Sequence, residues 1–156
     1  MAINAFIKIE GIEGASLIKG HKGEIDVLAF SWGISNSSTA GGGGGAGGNA
    51  QVSDFSFSKE LAKDSPELFV SVCKGDHHDQ AVLTVEGVAS DPKGLSKSFY
   101  KVTFGDVLIS SVSLGGSENS VPQENVTLNF AKVEIEYRDQ KGSSKVEVCD
   151  FQSNTN

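Results

Sequence analysis

His77-His78-Asp79 is the run in this 156-residue chain that brings metal-ligand side chains together. Imidazole and carboxylate can hold zinc, but adjacent residues on an extended segment point to opposite faces, so one ion is hard for both rings to reach. His21 is the remaining histidine, and no metal-site spacing is completed. The run reads as a polar loop after a helix, with a His77/His78 site kept as the alternative. Gly43, Gly45 and Gly48 spell G-x-G-x-x-G, but Val52–Ser58 after them reads as a strand. No helix N-terminus is placed to hold a pyrophosphate, and no Gly-Lys-Ser/Thr follows. Serines are plentiful, yet no Gly-x-Ser-x-Gly elbow presents one as a nucleophile. Asp76/Asp79 and Glu134/Glu136 read as solvated surface carboxylates. Asn125-Val-Thr127 fits a glycosylation acceptor but sits in a predicted strand, and it is discounted. Cys73 and Cys149 have neither metal nor redox spacing. They read as two reduced, partly buried thiols, with a disulfide left open. The expectation is no catalytic residue, no metal and no cofactor.

The elements that would position these groups are mostly strands. Ile3, Ala5, Ile7 and Ile9 alternate with polar residues and predict a first strand. Ile25–Trp32 is apolar on both faces, which predicts a central strand. Phe55 and Phe57 alternate with Asp54, Ser56 and Ser58. Further strands are expected near 81–90, 99–104, 107–114 and 124–137, with Asp91-Pro-Lys-Gly94 as a turn. One helix is expected over Pro66–Lys74, with Ser65 as cap, Pro66 in the first turn and Gly75 at the end. Leu68, Phe69, Val72 and Cys73 would form its apolar stripe. In 124–137 the apolar positions are even at Val126, Leu128 and Phe130, then odd from Val133 to Tyr137. Either a bulge near Ala131 resets the parity, or a straight strand carries Val126, Leu128 and Phe130 onto a face needing a cover, from the domain or a neighbour. Those three are therefore candidate subunit contacts.

Size and charge narrow the partners. The whole of 1–156 reads as one domain, with a Gly-rich loop at about 36–50 and a poorly assigned tail from about 142. A net charge of −7 disfavours nucleic acid and anionic lipid. The first ten residues have no basic n-region and no continuous apolar core, so no signal peptide is expected. Between Thr39 and Ala50 lie Gly41, Gly42, Gly43, Gly44, Gly45, Gly47 and Gly48, with no apolar anchor larger than alanine. At ~1–2 kcal/mol per residue, ordering these twelve positions costs roughly 12–24 kcal/mol, which no burial within the stretch offsets. The loop is mobile, or it orders against another surface.

Taken together, several segments resemble the Hcp family, the haemolysin-coregulated proteins of type VI secretion systems. They are Ala5-Phe-Ile-Lys-Ile-Glu-Gly-Ile12, His21-Lys-Gly-Glu-Ile-Asp-Val-Leu28, Ser31-Trp-Gly-Ile-Ser35 and the glycine loop. In the same order follow Phe55-Ser-Phe-Ser-Lys59, Ser65-Pro-x-Leu68, Val107–Ser113 and Glu124–Val133. The resemblance implies a compact β-barrel of two sheets with one flanking helix. It also implies hexameric rings that stack into an expelled inner tube and can hold effector proteins in the channel. Implied partners are a VgrG-type spike protein and a contractile sheath. The chain would reside in the bacterial cytoplasm before firing and be secreted without a signal peptide. The glycine loop becomes the candidate ring-to-ring contact. Ser110, Ser111 and Ser113 are either channel wall or merely solvent-facing strand positions. The competing reading is a secreted effector or ligand-binding β-domain using His77 and His78.

Overall fold

The computed structural model describes residues 3–36, 50–87, 99–139 and 143–151. The Asp91–Gly94 turn and the whole of Gly41–Gly48 fall outside them. In chain order the elements are β1 (Ile3–Ile9), β2 (Ile25–Val27), β3 (Ala29–Ser31), β4 (Ile34–Asn36), β5 (Ala50–Val52), β6 (Phe55–Glu60), α1 (Ser65–Lys74), β7 (His77–Gly87), β8 (Phe99–Gly115), β9 (Gln123–Asn129), β10 (Lys132–Arg138) and β11 (Ser144–Asp150). The pairing is antiparallel throughout, in the order β2-β1-β7-β8-β9-β6-β3, with β10 joining β8 to β11 and β4 pairing β5 separately.

This sheet is not closed into a barrel, which corrects the expectation drawn from the resemblance. β2 and β3 stand at opposite ends of the pairing order, and no ladder joins them among the described residues. The predicted central strand at Ile25–Trp32 is in fact these two end strands. The chain leaves β1 after Val27 and pairs with β6 from Ala29, while the Leu28 amide donates to the Ser58 carbonyl at 2.8 Å. The inward parity shifts between the two strands: Ile25 and Val27 are buried in β2, Phe30 and Trp32 pack against the core beyond it, and Leu28 between them is 51% exposed.

The parity problem near Ala131 resolves as a reset. Val126, Leu128 and Phe130 are buried, pairing breaks at Phe130–Ala131, and burial resumes at Val133. β8 changes phase at the same level, from Val102 and Phe104 to Val107 and Ile109. The change is made at Asp106, whose φ of 52° is the left-handed conformation that short polar side chains tolerate. Phe104 packs against Trp32, Phe55 and Phe130 at centroid distances of 5.5, 4.9 and 4.7 Å, forming the centre of the core.

The helix begins and ends almost where expected. Gly75 closes it with φ 67°, its amide donating to the Ser71 and Val72 carbonyls. Its buried stripe differs: Leu68 and Ser71 face inward, whereas Phe69 is 66% exposed and Cys73 is exposed too. Asp64, not Ser65, is the N-cap residue, and it makes no side-chain cap bond. The Asp64 carboxylate instead meets the buried Lys59 ammonium at 2.7 Å and accepts from the Ala15 amide at 3.2 Å. Lys59 also reaches Glu124 at 2.7 Å, and Ser65 donates to the same Glu124 carboxylate. This cluster ties the start of α1 to β6 and β9.

Candidate assembly surface

One face of the sheet stands out by its chemistry. The registers align Ser111, Thr127, Ser56 and Ser31 across β8, β9, β6 and β3, and align Ser113, Asn125, Ser58 and Ala29 in the next row. Both rows lack charge and any side chain longer than asparagine, and their positions are exposed or half-buried. The other face of the same strands is core: Phe57 and Val126 in one row, Phe55, Leu128 and Ile109 in another. A register irregularity between Ile109 and Ser111 leaves Ser110 exposed beside these rows.

The hydroxyls satisfy one another sideways. The Ser111 and Thr127 hydroxyls lie 2.6 Å apart, and Ser110 lies 2.7 Å from Thr127. Asp54 is the acid at the margin, accepting from Ser110 at 2.9 Å and Asn129 at 3.2 Å. Such a surface offers short, paired hydrogen-bonding groups and no fixed charge of its own across the rows. It suits sliding, weak contact better than tight capture. The sequence reading named Ser110, Ser111 and Ser113 but missed Ser31, Ser56, Ser58, Asn125 and Thr127. The available signal was that every polar partner in Phe55-Ser-Phe-Ser58 and Val126-Thr-Leu-Asn129 is small and uncharged.

The other sequence candidates separate. Val126, Leu128 and Phe130 are 0%, 0% and 7% exposed, so the chain's own core covers them and they present no free contact surface. His77 is exposed, with Nδ1 3.1 Å from the Asp106 carboxylate. His78 faces elsewhere: Nδ1 donates to the Glu10 carbonyl at 2.8 Å and Nε2 accepts from the Ser71 hydroxyl at 2.8 Å. The two rings serve different neighbours, and among the described residues no group of three or more ligand-type side chains could hold a metal.

The third histidine is a structural clasp. His21 stacks on Phe6 with centroids 4.0 Å apart and 8° between planes. Its two nitrogens reach Glu24 at 2.7 Å and Glu86 at 2.8 Å, which fastens the loop before β2 to the end of β7. Burial opposes the charged ring, but hydrogen bonds and attraction from Glu86 and Glu24 outweigh it and raise the pKa above 6.5. A raised folded-state pKa gives stability that is fully present below the unfolded value and lost as pH rises through the folded value. His21→Gln is therefore expected to lower the melting temperature more at pH 5.5 than at pH 8.5. Equal losses at both pH values would remove the charged clasp.

Among the described residues the chain is an antiparallel β-domain with one packed helix and a neutral face across β8, β9, β6 and β3. The family described as "Type VI secretion system effector, Hcp" matches residues 6–137. The protein hcp1 of Pseudomonas aeruginosa is 44% identical over 144 residues, covering 90% of this chain and 86% of that protein. The crystal structure of Hcp1 from Salmonella typhimurium superposes with TM-score 0.82 at 33% identity, covering 99% of this chain and 98% of that one. A type VI secretion system effector from Yersinia pestis gives TM-score 0.74 at 31% identity, over 94% and 98% of the two chains. The chain belongs to the Hcp family, and its role is that of a type VI secretion tube subunit.

Proposed function

We propose that six copies close into a ring with the neutral face lining its channel, and that rings stack into the expelled tube. The uncharged rows running from Ser111 to Ser31 and from Ser113 to Ala29 carry this reading. A conduit wall must let effector proteins pass or rest without being trapped by charge pairs, and these rows have none. In this reading the chain waits in the bacterial cytoplasm, meets a VgrG-type spike protein and a contractile sheath, and leaves the cell as part of the expelled tube. It acts by assembly and not by catalysis. Sizing with light scattering tests the ring: the expected mass is about six times the 16.3 kDa of one chain. A monomer at micromolar concentration would overturn it.

Gly41–Gly48 forms the ring-to-ring contact in this reading, gaining its order from the adjacent ring. Deleting those eight residues is expected to leave the mass of single rings unchanged and to abolish tubes in negative-stain images. Tubes of normal length after the deletion would refute the assignment.

A further inference from the structure

Beyond the tube role, we propose that Ser71 is an acyl-acceptor site: a hydroxyl activated by His78 that takes one acyl group from an activated, uncharged ester or thioester. The Ser71 hydroxyl lies 2.8 Å from His78 Nε2, and Nδ1 of the same ring lies 2.8 Å from the Glu10 carbonyl. A carbonyl oxygen only accepts, so Nδ1 carries the hydrogen and Nε2 holds the lone pair that draws the Ser71 proton. Nucleophile, base and orienting acceptor thus stand in sequence. Three elements hold them in place. Ser71 is on α1, His78 lies at the start of β7, and Gly11, with φ 91°, turns the chain after β1 beside the ring. A Cβ at Gly11 would stand 3.6 Å from His78 Nδ1, so the turn packs directly on the imidazole.

Both residues line an open groove of about 340 Å³ between the turn after β1 and α1. Ile12, Pro66 and Val70 give it apolar walls, which suit a short acyl chain. Glu67 and Asp76 line it too, and their carboxylates disfavour an anionic donor. In the transfer, Ser71 Oγ bonds to the acyl carbon, and that carbon's bond to the leaving oxygen or sulfur breaks. The Oγ proton passes to His78 Nε2 and from there to the leaving atom. A backbone carbonyl steadies the imidazolium less than a carboxylate does, so the donor must carry a good leaving group. The product is an ordinary alkyl ester whose own leaving group is poor. The acyl group therefore stays on Ser71, which makes this a site of modification and not of turnover.

The test uses p-nitrophenyl acetate as donor, with far-ultraviolet circular dichroism to confirm the fold of each variant. The wild type is expected to release a burst of p-nitrophenolate equal to the number of chains, and peptide mass spectrometry should place the acetyl group on Ser71. Ser71→Ala should lose the burst. His78→Gln keeps an amide that can donate to the Glu10 carbonyl but removes the base. It should slow acetylation of Ser71 by about 100-fold or more, the range for a general base. A wild type whose Ser71 stays unacetylated would overturn the proposal without recourse to any variant. A folded His78→Gln chain acetylated at the wild-type rate would overturn it as well, by reducing the Ser71–His78 bond to a tie between α1 and β7. Neither result bears on the ring, whose mass is read separately.

Discussion

Lys59→Ala is expected to lower the free energy of unfolding by about 3–5 kcal/mol, the range for breaking a buried ion cluster by removing one partner. Lys59 is 1% exposed, and its ammonium lies 2.7 Å from each of the Asp64 and Glu124 carboxylates. It also donates to the Glu60 carbonyl at 2.9 Å and the Ser65 hydroxyl at 3.2 Å. Alanine leaves two carboxylates, 1% and 3% exposed, with their common cation gone. The damage should centre on the start of α1 and the first residues of β9, the elements those carboxylates belong to. Glu124→Gln should cost less than half as much, since an Asp64–Lys59 pair survives and the amide oxygen still accepts from Ser65. Denaturant titration of the two variants decides this: a Lys59→Ala midpoint equal to wild type would contradict the buried cluster.

Phe104→Ala is expected to cost about 3–5 kcal/mol, the range for deleting a large buried aromatic side chain. Phe104 is fully buried and touches three other aromatic rings, from β6, from the segment between β3 and β4, and from the β9–β10 break. Those rings come from parts of the chain far apart in sequence, so the cavity left behind has no single element that can close it. Phe69→Ala provides the contrast, because that ring is 66% exposed and its loss should change the melting temperature of the single chain little. A Phe104→Ala melting curve superimposable on wild type would show that the aromatic centre is not where the domain is held together. A domain of this size has a total stability of about 5–15 kcal/mol, so either core variant should sharply reduce the concentration of chains competent to assemble.

Strand alternation at Ile3–Ile9 and Phe55–Glu60, and the Pro66–Gly75 helix signals, were legible because they depend on neighbours two to four residues away. The helix stripe was less legible. Phe69 and Cys73 have the right spacing to be buried, but the sheet meets the helix along Ser65, Leu68 and Ser71 instead. Ile25–Trp32 misled for a related reason: the inward parity shifts where the chain passes from β1 to β6, so residues of opposite parity turn inward in the two halves while Leu28 between them stays 51% exposed.

The amino-acid sequence alone determined the strand-rich class, the helix over Pro66–Lys74 and the resemblance to the Hcp family. Each is written in local periodicity or in residue order along the chain. Only the tertiary structure decided that the sheet stays open at β2 and β3, that Val126, Leu128 and Phe130 are core, and that Lys59 meets a carboxylate 65 residues away. The neutral face is of this second kind as well. Its rows join residues as distant as Ser31 and Ser111, and strand register, fixed by burying the opposite apolar face, is what brings them side by side.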